Sequence, residues 1–115
     1  MKHLKNYQCL PCEPGSQKMT DMQIDEMMPH VPGWKVRLKD GVEILEKSFS
    51  FKDFKQAINF AVKVGRIAEE QFHHPTLTVD WGKVHVTWVT HKLKGLHIND
   101  FAMAARTDVL YHEEE

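Results

Sequence analysis

The sequence predicts an α+β fold, with elements in the order α-β-β-α-β-β-α and a four-stranded antiparallel sheet whose helices are packed on one face. Three observations predict it. Apolar and polar residues alternate through two pairs of short runs: Trp34, Val36 and Leu38 with Leu45, Phe49 and Phe51, then Leu77, Val79 and Trp81 with Val84, Val86 and Trp88. A tight-turn signal joins each pair, Asp40-Gly41 in the first and Gly82-Lys83 in the second. Between the pairs, Phe54, Ile58, Ala61, Val64, Ala68 and Phe72 recur every three or four residues and form one apolar helical stripe. Hairpins make an antiparallel sheet, and amphipathic helices cover one of its faces.

The elements follow in order. Residues 1–18 read as a polar tail or irregular lead-in, broken by Pro11, Pro14 and Gly15. Residues 19–115 form a single domain. Thr20 or Asp21 caps a short helix carrying Ile24, Met27 and Met28, which Pro29 and Pro32 end. The first hairpin follows. Ser50 and Asp53 have capping spacing ahead of the long helix, whose buried face is the stripe from Phe54 to Phe72. Pro75 stops that helix and turns the backbone at His74 extended. After the second hairpin, residues 92–98 form a loop. Asn99 is then a good cap for a last helix with Phe101, Ala105 and Val109 inside.

Composition narrows the function. Fifteen basic residues face sixteen acidic ones with no basic block, which argues against nucleic-acid binding. No apolar run is long enough for a membrane span, and the first residues lack a secretory signal's apolar core. Two cysteines fit a reducing compartment, so a cytoplasmic location is expected. Cys9 and Cys12 make a CxxC with neither a βαβ context nor a second ligand pair, so they read as free thiols. Four short strands leave two open sheet edges, so the sheet is expected to extend across a dimer.

The chemistry concentrates between Glu69 and Asp100, which hold five of the eight histidines. Glu69 precedes His73 by four residues and on a helix would orient its imidazole. His74 sits at the break before Pro75. His91 ends the last strand, and by parity it points away from the core if the strand persists that far. Asp100 falls in the first turn of the last helix, within reach of His91. Imidazoles with flanking carboxylates suit proton transfer near neutral pH. A zinc site would have to draw on His73, His74 and His91, but adjacent residues at a helix end diverge by about 100° and no HExxH is present. No metal is expected. His85 and His97 read as ordinary hydrogen-bonding groups.

These residues resemble the signature of the pterin-4a-carbinolamine dehydratase family. Glu69, three residues, His73-His74-Pro75, five residues, Trp81, nine residues, His91, eight residues and Asp100 match its spacing throughout. The Pro32-Gly33-Trp34 and Phe49-Ser50-Phe51-Lys52-Asp53-Phe54 stretches are also similar, so the resemblance covers roughly residues 20–111. One departure is Phe72, where some members carry an acidic residue.

The resemblance implies the same α+β fold and an enzyme that dehydrates 4a-hydroxytetrahydropterin to quinonoid dihydropterin, recycling the cofactor of aromatic amino acid hydroxylases. It implies catalysis by His73, His74 and His91. His73 and His91 would carry the proton transfers, without the sequence deciding which is acid and which is base, and His74 would orient the pterin. Glu69 and Asp100 would position imidazoles or contact the ring, and Trp81 would wall the pocket or pack. No cofactor is implied. A homodimer or homotetramer is expected, with a functional link to a hydroxylase. The rival readings are a protein-binding regulatory module of the transcriptional coactivator type and a role in molybdopterin metabolism.

Overall fold

The structure, a computed structural model, describes residues 4–6, 9 and 16–114. Its main elements are helix α1 (Asp21–Met27), strands β1 (Lys35–Lys39) and β2 (Val42–Ser50), helix α2 (Phe54–Gln71), strands β3 (Thr76–Asp80) and β4 (Lys83–Trp88), and helix α3 (Ile98–Glu114). The expected order α-β-β-α-β-β-α is therefore present. The four strands form one antiparallel sheet in the order β1-β2-β4-β3, so β4 is interior and β1 and β3 are the edges. Short 3-10 turns at Leu4–Asn6, Met28–His30 and His91–Leu93 complete it. No described helix is long and apolar enough to cross a membrane.

Local chemistry sets the element ends. Thr20 caps α1 through a reciprocal pair with Gln23, and the Asp53 side chain accepts from the Gln56 amide to start α2. Asp40 and Gly41 both have positive φ, 52° and 79°, as a type I′ hairpin turn demands. The second turn is Trp81-Gly82 and not Gly82-Lys83, because Lys83 already pairs with Asp80 and Ser50. Glycine fits there because an added Cβ would stand 3.0 Å from the Phe51 carbonyl oxygen.

One sheet face carries Trp34, Leu45, Phe49, Val84, Val86 and Trp88 into the core. Against it α2 buries Ala57, Phe60, Val64 and Ala68, and α3 buries Phe101, Ala102, Met103, Ala104 and Thr107. The buried stripe of α2 is thus rotated from the expected one: Phe54, Ile58 and Phe72 are exposed. Two apolar stripes overlap on this helix, and an aromatic cluster selects the inner one. Phe60 meets Phe49 and Phe51 at ring separations of 5.0 Å each, with Tyr111 beside them. On the opposite sheet face, Glu46 binds Arg37 at 2.7 Å and His85 at 3.0 Å, and His85 reaches Ser48 at 2.7 Å. The Arg37 guanidinium, with His85 helping, holds the Glu46 carboxyl below the usual range.

The described N-terminal residues pack on α3. Leu4 is buried, and the Arg106 guanidinium donates to the Lys5 carbonyl at 3.0 Å. Pro11, Pro14 and Gly15, on which the reading of a broken lead-in rests, and Cys12 of the CxxC lie outside the described residues.

Buried Trp34 donates its indole N–H to both carboxylate oxygens of Asp108, at 3.1 and 3.0 Å, while Lys47 reaches the same carboxylate at 2.9 Å. Asp108→Ala orphans that indole and should lower the unfolding free energy by about 1–3 kcal/mol in urea denaturation. Asp108→Asn keeps an acceptor and should lose less.

Candidate active site

The site begins where α2 stops. Phe72 closes the helix in the left-handed region, with φ 54°, and its amide donates to the Ala68 and Glu69 carbonyls. The His73 amide donates to the Ala68 carbonyl at 3.1 Å. Pro75 then sends the chain extended into β3. This reversal turns two adjacent histidines in different directions. The His73 side chain is 13% exposed and the His74 side chain 59%.

His73 goes inward. Its Nε2 lies 2.6 Å from Asp100 Oδ1, and its ring stacks on Trp88 with centroids 5.8 Å apart and planes within 9°. Asp100 is fully buried at the start of α3. Its other oxygen accepts from the Thr90 hydroxyl at 2.7 Å and from the His97 amide at 3.0 Å. A carboxylate in its ionised form only accepts, so against it His73 would donate from Nε2, which leaves Nδ1 as the ring's other nitrogen.

Two expected partnerships are corrected here. Glu69 pairs with His74 and not with His73. The left-handed Phe72 takes the chain out of helical register, so the four-residue spacing from Glu69 no longer aligns with His73. Asp100 folds toward His73 and not toward His91. The cap of α3 is also shifted. His97 Nδ1 accepts from the Asn99 amide at 3.1 Å while Asp100 reaches back to the His97 amide, a reciprocal cap with histidine in the capping position. Asn99 is already helical.

His91 arrives by a different route. Strand β4 ends at Trp88, the alternation breaks as Val89 and Thr90 both become buried, and Thr90 bridges to Gly95. His91 opens the following 3-10 turn and is exposed. Strand parity therefore does not govern its direction. His73, His74 and His91 all line one cleft of about 480 Å³, with Phe72, residues 89 and 90, Lys92 and Asn99. Trp81 is not in the cleft. It is 70% exposed in the β3–β4 turn, at the far end of the hairpin from His74 and His91. The tryptophan at the site is Trp88, whose core-side parity in β4 was visible but whose contact with His73 was not.

Cys9, expected from the sequence only as a free thiol, is also a cleft residue. Its amide donates to the Gln71 side chain at 2.9 Å, and its sulfur lies 4.0 Å from the Asn99 carbonyl oxygen. Burial pushes its thiol up to about 11, with Asp100 adding to the rise against an opposing Arg106. It is a neutral, poorly nucleophilic wall at physiological pH. Among the described residues no group of three or more His, Cys, Asp or Glu side chains is arranged to hold a metal ion.

The model of the family described as pterin 4 alpha carbinolamine dehydratase matches residues 17–110. The chain belongs to that family. A Photobacterium profundum protein provisionally named a pterin-4-alpha-carbinolamine dehydratase is 45% identical over 94% of this chain and 96% of its own. A Brucella melitensis crystal structure described as a transcriptional coactivator/pterin dehydratase superposes with a TM-score of 0.74 at 30% identity, covering 83% of this chain and 99% of that one. A pterin dehydratase-like protein identified as a RuBisCO assembly factor in the alpha-carboxysome gives 0.59 at 26% identity, over 71% and 93%. The two solved structures are thus described under different roles on one fold, so fold alone does not give the activity.

His97 supplies a pH test of the cap. Burial lowers its proton affinity, with nearby His73 adding to the fall against an opposing Asp100. The unfolded chain therefore binds this proton more readily, and stability should fall as pH drops below the ordinary value of 6.5. His97→Asn keeps a capping acceptor without a titrating ring. Its unfolding free energy, measured by denaturant titration from about pH 6.5 to 5, should lose less than the wild type does.

Proposed function

We propose that the protein dehydrates 4a-hydroxytetrahydropterin to quinonoid dihydropterin, with His73, His74 and His91 as the catalytic residues. The observation that carries this reading is the buried Asp100–His73 pair at a cleft that His74 and His91 also line. Two proton movements define the reaction. The 4a-hydroxyl leaves as water and needs a proton on its oxygen. N5 gives up its proton as the C4a–N5 double bond forms. One proton is delivered and one removed, so the site ends with the count it started with.

The residues suit these tasks unequally. Asp100 engages the Nε2 proton of His73 and leaves Nδ1 as the accepting nitrogen, so His73 takes the N5 proton. His91 is exposed at the cleft and delivers a proton to the departing oxygen. The Glu69–His74 pair orients the heterocycle from the rim. Trp88 and Asp100 are positioning residues that fix the plane of His73. The carbinolamine is what a tetrahydropterin-dependent hydroxylase leaves behind, so the role served is recycling of that cofactor.

Each of His73→Ala and His91→Ala should reduce the catalysed rate by about 10²–10⁴, measured by stopped-flow decay of the carbinolamine with the uncatalysed decay subtracted. If both variants keep the wild-type rate, the assignment is wrong.

Protein binding is a second reading, favoured by one observation. Phe54, Ile58 and Val62 stand four residues apart on α2 and are 47%, 37% and 48% exposed. A stripe of this kind suits a second helix, and the partner we infer is another copy of this chain. Ile58→Asp should shift the mass seen by light scattering to a smaller assembly, whereas an unchanged mass would exclude this stripe as the contact.

A further inference from the structure

Phe72 is unfavourable twice over. Its backbone lies at φ 54°, where L side chains are strained and where glycine, asparagine or aspartate ordinarily ends a helix. Phe72 is 88% exposed, more than any other large apolar residue among the described residues. Neither the core nor the helix end gains from it. Glycine would terminate α2 equally well without strain, and the aromatic cluster of the core is built without it. What remains is its position. Phe72 lines the histidine cleft directly before His73 and His74, and the same left-handed turn separates their directions. A strained residue at a cleft mouth, presenting an apolar ring to solvent, is placed for a ligand.

We propose that Phe72 is a substrate-contacting specificity residue, an aromatic wall against which a flat heterobicyclic ring packs. The proposal rests on the pterin reading above and deepens it: the site selects its ligand partly by planarity. The cleft's polar groups, His73, His74 and His91, address the edges of such a ring, while its faces need apolar cover. Buried Val89 and exposed Phe72 are apolar members of the same lining. Phenylalanine loses only two side-chain torsions when it is held, so ordering it on a ligand costs little entropy. An aromatic pair prefers an offset stack, which tolerates variation in the substituent at the edge of the heterocycle.

Three variants separate ring from backbone. Phe72→Gly and Phe72→Asn remove the ring and relieve the strain, whereas Phe72→Tyr keeps both. KM and kcat come from stopped-flow carbinolamine decay. Oxidised biopterin serves as a stable binding probe, and its C7 proton reports ring currents by NMR. Phe72→Gly and Phe72→Asn should raise KM and weaken biopterin binding by about two- to tenfold, the range for one lost aromatic stack. Their loss in KM should exceed any loss in kcat, and part of the upfield shift of the C7 proton should disappear. Their thermal midpoints should match or exceed that of the wild type, so the loss is not one of folding. Phe72→Tyr should keep both KM and the shift. If Phe72→Gly and Phe72→Asn keep the wild-type KM and C7 shift while the wild type catalyses the decay, stacking on Phe72 is overturned and the dehydratase reading stands. If the wild type neither accelerates the decay nor binds biopterin, both fall.

Discussion

The carboxylate of Asp100 is the constraint on which the site depends. It is fully buried, and a buried charge without partners costs several kcal/mol. Three donors satisfy it, and each comes from a different segment: His73 after α2, Thr90 after β4 and the His97 amide before α3. One residue therefore ties the end of a helix, the exit of the central strand and the start of another helix. Its place in the first turn of α3 adds a favourable helix dipole. Trp88 completes the clamp by lying parallel to the His73 ring. Hydrogen bonding fixes one edge of the imidazole, and stacking fixes its plane.

The sheet explains why the histidines meet. His74 and His91 are far apart in sequence, yet the β3–β4 hairpin doubles the chain back so that Thr76 pairs with Thr87. That register returns the residues after β4 to the level of the α2–β3 junction. The interior place of β4 then puts Trp88 and Thr90 under cover, while His91, past the end of the strand, stays open to solvent. A rigid pair and an exposed imidazole thus share one cleft, a division that suits a held base and an acid that re-equilibrates with water.

Much of this was legible in the sequence. Alternation, turn residues and the long stripe gave all the main elements in order, because they depend on short-range periodicity. The spacing of His73, His74, His91, Asp100 and Glu69 marked them in the sequence as one group of candidates. Their partnerships were not legible there. Glu69 aligns with His73 only if the helix runs through, but the left-handed turn at Phe72 falls where propensity would not place it on a bulky aromatic. Trp81 and Trp88 both look like core strand residues, and only the two-residue turn at Trp81-Gly82 sends one out and the other in. The face of α2 that packs was settled by Phe49, Phe51 and Tyr111, distant residues that no local pattern links to Phe60. Cys9 reaches the cleft through contacts with Gln71 and Asn99, which are separated from it by most of the chain.

At the centre of the site, Asp100 holds His73 by its Nε2 proton. Nitrogen-resolved NMR of the histidine side chains reads that proton directly. The expected result is a protonated, hydrogen-bonded Nε2 on His73 in the resting protein, with slowed exchange that Asp100→Ala abolishes. A His73 ring that carries its proton on Nδ1 alone, or whose Nε2 proton exchanges as fast in the wild type as in Asp100→Ala, would contradict it.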